Sequence, residues 1–151
     1  MAVTVEQIKS LRAKTGLGIH DVKKALEESN GNEEKAIAWL KEKGLSTAAK
    51  KADRATSQGL IDVYTHGGRI GAMVEVNCET DFVARNEDFK TFVHDLTLQV
   101  ASMNPATVEE LLQHEFFKEP SKTIQDYLNE TIARIGENIK ISRISRFELG
   151  E

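Results

Sequence analysis

Cysteine is nearly absent: Cys78 is the single one in 151 residues, which excludes an internal disulfide and any metal site built from cysteines alone. A reducing cytosol, or an organelle that makes its own proteins, suits such a chain. Positive charge is not in excess either. The formal net charge of -4 argues against a dedicated nucleic-acid binder, which shows a basic balance. No apolar run approaches transmembrane length, and the start of the chain lacks the marks of a signal or transit peptide. The expectation is a cytoplasmic protein with no direct nucleic-acid partner and no membrane partner.

Catalytic motifs are missing as well. His20, His66, His94 and His114 are scattered, with no His-x-x-x-His pair and no carboxylate at ligand spacing, so no metal is expected. No Gly-x-x-x-x-Gly-Lys-Ser/Thr loop is present. The glycines of Gly67-Gly68-Arg69-Ile70-Gly71 belong to a hairpin and lack the following helix of a dinucleotide fingerprint. Serine and cysteine nucleophiles have no base in an identifiable arrangement, and Glu79 beside Cys78 disfavours its thiolate. No cofactor is expected. On chemistry alone this is a binding protein.

What is there is periodicity. Thr4 and Gln7 form a capping box, after which Val5, Ile8 and Leu11 share a helical face that stops at Thr15-Gly16. A second helix starts at Ile19, with Ile19, Val22, Ala25 and Leu26 on its buried side, and ends at Asn30-Gly31. Asn32 caps a third, carrying Ala36, Ile37 and Leu40, with Gly44 as its stop. Residues 1–44 thus read as a three-helix bundle, and 45–58 as a solvated helical linker with cations Lys50, Lys51 and Arg54.

Residues 59–151 read as an α+β core. Leu60 to His66 and Ile70 to Val76 are strands around a Gly67-Gly68 turn. Phe89, Phe92, Val93, Leu96, Val100 and Met103 form the strongest helical stripe, ended by Asn104-Pro105. Thr107 to Glu110 is a second capping box, and Pro120-Ser121 breaks the chain. Ile124, Leu128, Ile132 and Ile135 mark a helix stopped by Gly136. Ile139, Ile141, Phe147 and Leu149 form a last strand, with Ile144 out of phase at a bulge. The fold class is α+β: an N-terminal helical bundle, then a small, mainly antiparallel sheet with helices on one face.

The stretch from Asn77 to Asn86 sits where strand gives way to helix, with Asn86 as N-cap. It sets Asp81 beside Phe82 on a turn held between packed elements. Two readings stay open. Phe82 closes the local core and Asp81 caps the turn, or Phe82 is presented to another molecule's pocket.

Three motifs carry a family resemblance. Leu11 to Leu26, Val74 to Asn86, and Ala133-Arg134-Ile135-Gly136-Glu137-Asn138-Ile139 resemble the signatures of the elongation factor Ts family, in the family's order, and Lys50-Lys51-Ala52 fits too. The resemblance implies a guanine-nucleotide exchange factor for elongation factor Tu, with a ubiquitin-associated-like bundle docking on the nucleotide domain of that GTPase. By motif, Arg12, Ile19 and His20 lie in that contact. Thr80, Asp81, Phe82 and Val83 correspond to the segment that disturbs the GTPase's magnesium site; the factor itself binds neither magnesium nor nucleotide.

Two departures stand out. Ile19-His20 replaces the two methionines of many members. The second core subdomain, the coiled coil and the C-terminal module of longer members are also missing. A short form could recover the lost surface as a homodimer through an exposed sheet edge, without a covalent link, since the last strand has no cysteine. The competing class is an adaptor that binds another protein through residues 1–44, leaving Asp81 and Phe82 unimportant. An enzyme would need Glu79, Asp81 or Cys78 in a substrate pocket.

Overall fold

The computed structural model describes residues 2–151. Three helices open the chain: α1 (Val5–Thr15), α2 (Ile19–Glu28) and α3 (Glu33–Lys51). The Thr4–Gln7 capping box is formed in both directions, and Gly16 takes the left-handed conformation that ends α1. Leu11, Val22, Ala25, Leu26, Ala36 and Leu40 make a small separate core. Ile19 is not part of it. Leu17 packs against that core instead, and Ile19, the first residue of α2, is 56% exposed. Ile37 is exposed as well.

Gly44 does not stop α3, which runs seven residues further, to Lys51. Gly44 is buried where α3 lies against α7 (Ile124–Ile135); a Cβ there would meet the Ala133 Cβ and the Asn129 carbonyl at 3.9 Å. The helix continues because tertiary contact at this seam outweighs glycine's weak helix propensity.

Strands β1 (Gln58–His66), β2 (Ile70–Cys78) and β5 (Ile139–Glu148) form an antiparallel sheet in the order β1-β2-β5. Gly59 is obligatory at its start: at φ +151° a Cβ would lie 2.1 Å from the Val76 carbonyl oxygen. Helices α4 (Asp81–Ala84), α5 (Glu87–Met103) and α6 (Val108–Gln113) follow β2, and α5 lies across the sheet. The main core joins Val74, Val76 and Cys78 of the sheet to Phe89, Phe92, Val93 and Leu96 of α5 and to Ile124, Leu128 and Ile132 of α7.

The bulge expected in the last strand falls opposite Glu75/Val76, where Arg143 and Ile141 pair with neighbours and Ser142 is the extra residue. One extra residue reverses every later side chain. Ile144 therefore turns inward against the core, whereas Phe147 and Leu149, expected on the buried face, are exposed at 79% and 64%. Phe147 joins Ile61, Val63 and Met73 on the sheet face away from α5, and all four are exposed.

Pro120-Ser121 does not break the structure. It lies in β4 (Glu119–Thr123), which pairs with β3 (Glu115–Phe116) as a second, two-stranded sheet. The buried Gln99 pins that hairpin: its Nε2 donates to the Glu115 carbonyl at 3.0 Å and its Oε1 accepts the Phe117 N–H at 3.1 Å. Thr107 caps α6, but the returning carboxylate of Glu110 takes the N–H of Ala106, one residue before the cap. Asp95, buried in the core, is satisfied by the Tyr127 hydroxyl at 2.7 Å and Lys118 at 2.6 Å.

Candidate partner-binding site

The turn from Asn77 to Asn86 begins where the sheet ends. Cys78 pairs with Ile139 as the last rung, and its buried thiol is pushed up to about 11 by desolvation, with Glu137 and Glu79 adding to it. Cys78 is thus an inert packing residue. Thr80 then caps the four-residue α4, its Oγ1 accepting the Val83 N–H at 3.3 Å. Ala84 is buried, and Val83 packs against the main core.

Between these anchors Phe82 points outward and is 77% exposed. The reading in which it closes the local core is thereby overturned. The reason is length: α4 has a single turn, so with Val83 and Ala84 facing the core, Phe82 must face solvent. Asp81 and Arg85 form an exposed ion pair at 3.1 Å, and the Arg85 guanidinium stands 5.7 Å from the centre of the Phe82 ring. The site is an exposed aromatic flanked by one acid and one cation.

Two polar residues of the third motif, Glu137 and Asn138, stand behind the turn, a role that the sequence did not give them. The Glu137 carboxylate accepts the N–H groups of Glu79 and Thr80 at 3.1 and 3.0 Å and the Thr80 hydroxyl at 2.7 Å. Glu79 accepts the Asn138 N–H at 2.7 Å; this bond, aided by Arg54, holds its carboxyl below the ordinary value of 4.5 despite opposing desolvation. The sequence marked Glu137-Asn138 only as part of a motif that follows the helix stop Gly136. Only the strand register shows that it faces Glu79-Thr80.

Arg12, Ile19 and His20 lie together at the α1–α2 turn, all exposed. Arg12 Nε donates to the Leu17 carbonyl at 3.2 Å, which orients that turn. This group shares no hydrogen bond or ion pair with Thr80, Asp81, Phe82 and Val83 among the described residues. The fold presents two surfaces, one on the bundle and one at the end of the sheet.

A groove of about 600 Å³ opens beside the α3–α7 seam, bounded also by β4 and the end of α1. Among the charges that line it, Lys41 pairs with Asp126 at 3.2 Å and Lys122 with Glu119 and Glu130 at 2.8 and 2.7 Å. None of Cys78, Glu79 and Asp81 lines it. No cluster of three or more histidine, cysteine or acidic residues suited to a metal occurs among the described residues. No helix among them is long and apolar enough to cross a membrane.

A family model described as elongation factor TS matches residues 79–151, from the acid before the Phe82 turn onward. Proteins named elongation factor Ts align across nearly all of the chain. The protein from Thermoanaerobacter sp. is 43% identical over 99% of this chain and 96% of its own length. That from Oleidesulfovibrio alaskensis is 43% identical over 99% and 98%, and that from Geotalea daltonii 41% over 100% and 91%.

The chain belongs to the elongation factor Ts family.

Membership assigns it a role in the elongation phase of protein synthesis. The alignment with the Thermoanaerobacter protein runs over 195 positions, more than the 151 residues present here. Elongation factor Ts relatives therefore carry segments that this chain lacks.

Proposed function

We propose that the protein is a guanine-nucleotide exchange factor for the translational GTPase elongation factor Tu, acting in the cytoplasm by protein–protein binding and not as an enzyme. The observation that carries this reading is the exposed Phe82, a large aromatic held on a rigidly anchored turn in a family of elongation factors. A GTPase holds GDP through a phosphate-cradling loop and a bound magnesium ion. A partner that prefers the nucleotide-free form must, by reciprocity, weaken nucleotide binding by the same factor. In this reading Phe82 wedges beside the GTPase's metal site and Asp81 meets polar groups there, while Thr80 and Val83 hold the turn in shape. Arg12, Ile19 and His20 dock the bundle of residues 1–44 on the nucleotide domain, and 45–58 joins that bundle to the core of 59–151.

A homodimer completes the reading. The open sheet face bearing Ile61, Val63, Met73 and Phe147 is an apolar patch of the kind that marks an interaction surface.

The deciding experiment follows release of a fluorescent GDP analogue from elongation factor Tu, with wild type beside Phe82→Ala. An aromatic anchor is worth about 2 kcal/mol or more, and about 1.4 kcal/mol is tenfold, so the variant loses well over tenfold in exchange. Equal release by both proteins moves the mechanism to the bundle. No acceleration by wild type leaves the adaptor reading, in which residues 1–44 bind another partner.

A further inference from the structure

Glu137 lies behind the Phe82 turn and takes up three of its hydrogen-bond donors. One carboxylate oxygen accepts two consecutive backbone N–H groups, those of Glu79 and Thr80, and the other accepts the Thr80 hydroxyl. Through Thr80 Oγ1 the chain of bonds continues to the Val83 N–H on the first turn of α4. The return bond, from the Asn138 N–H to Glu79, closes a reciprocal pair between residues 79–80 and 137–138. Sheet pairing ends one residue earlier, at Cys78 and Ile139, so beyond that rung these side chains take over from the ladder.

The same loop is tied to the end of α3. Asn138 Nδ2 donates to the carbonyls of Arg54 and Ala52 at 2.8 and 3.3 Å, and Lys51 Nζ donates to the Gly136 carbonyl at 2.6 Å. A helix of four residues cannot sustain itself cooperatively, so the conformation of α4 depends on what grips its cap. That grip is charge-assisted, hence stronger than a neutral hydrogen bond.

We propose that Glu137 is a positioning residue for nucleotide exchange: its carboxylate holds the Thr80–Val83 turn in the conformation that presents Phe82. The proposal rests on the exchange reading above. Replacing the side chain by alanine strands two partly buried N–H groups and frees the Thr80 hydroxyl, so α4 frays while Arg12, Ile19 and His20 are untouched. Glutamine keeps an oxygen where both N–H groups point.

The test uses the full chain and elongation factor Tu loaded with fluorescent GDP, at a temperature where circular dichroism shows every variant folded. Glu137→Ala slows release at saturating factor by about tenfold, with a much smaller change in the half-saturating concentration. Glu137→Gln stays within about twofold of wild type. Hydrogen exchange at the amides of Val83 to Arg85 speeds up in the alanine variant and not in the glutamine one. If Glu137→Ala does not fold, Glu137→Asp, which draws the carboxylate back by one methylene, replaces it with the same expected split. Wild-type release by a variant whose turn amides have lost protection would overturn the proposal, and so would a glutamine variant as impaired as alanine. If Phe82→Ala collapses release while Glu137→Ala does not, the exchange reading stands and this proposal alone falls. If wild type itself releases no GDP, both fall.

Discussion

Gly44→Ala distinguishes the observed course of α3 from the one its sequence suggests, by the sign of a stability change. Gly44 lies inside α3 and is buried against α7, and an added Cβ would make ordinary van der Waals contact at 3.9 Å with Ala133 and Asn129. Glycine in a helix interior costs about 0.5–1 kcal/mol relative to alanine. A methyl group newly buried in the seam contributes up to about 0.8 kcal/mol more. The substitution should therefore stabilise the protein by about 1 kcal/mol. Were Gly44 the left-handed residue closing a shorter helix, alanine would instead cost about 1–2 kcal/mol. Urea denaturation decides the matter, read as a shift in midpoint at constant slope. Thermal unfolding should move up by about 2–4 °C for a chain of this size. A destabilised Gly44→Ala protein would refute the argument from continuity of α3 across the seam. A leucine at the same place overfills the 3.9 Å gap and should cost about 1–3 kcal/mol.

Phe82→Ala should change stability by less than about 0.5 kcal/mol, because the ring is exposed; a loss above about 1 kcal/mol in the same urea titration would reveal packing that the geometry does not contain. Glu79 has a depressed carboxyl in the folded protein, so its stabilising contribution is present above its unfolded value and is lost as pH falls through the lower folded one. Glu79→Gln should accordingly lose less stability than wild type between neutral and acidic pH, seen in denaturation midpoints against pH, and parallel curves would contradict this. Phe147→Asp puts a charge on the edge strand of the open sheet face and should give a monomer by sedimentation equilibrium under conditions where wild type is a dimer; an unchanged dimer would move the contact elsewhere. Gly59→Ala combines a backbone conformation reserved for glycine with a 2.1 Å clash and should cost more than about 3 kcal/mol, measured as above.

Local chemistry wrote much of this molecule. The capping residues Thr4, Asn32, Asn86 and Thr107, the stops at Gly16 and Gly136, and the hairpin at Gly67-Gly68 are all where residue type and spacing put them, since each needs only neighbours within a few positions. The stripe of α5 from Phe89 to Val100 was readable for the same reason, since one helix face carries its own period, although Met103 at its end is exposed. Only the tertiary structure decided that α3 passes through Gly44, because that depends on Asn129 and Ala133 of α7, far along the chain. It decided that Ile144 turns in and Phe147 out, because a single extra residue at Ser142 reverses the face of everything after it. And it decided the state of the site. The sequence set an acid and an aromatic on a turn with two readings open, but which way Phe82 points follows from which neighbours the core claims, and what grips the turn, Glu137, follows from strand register. Both are properties of contacts between distant segments, which no local pattern encodes.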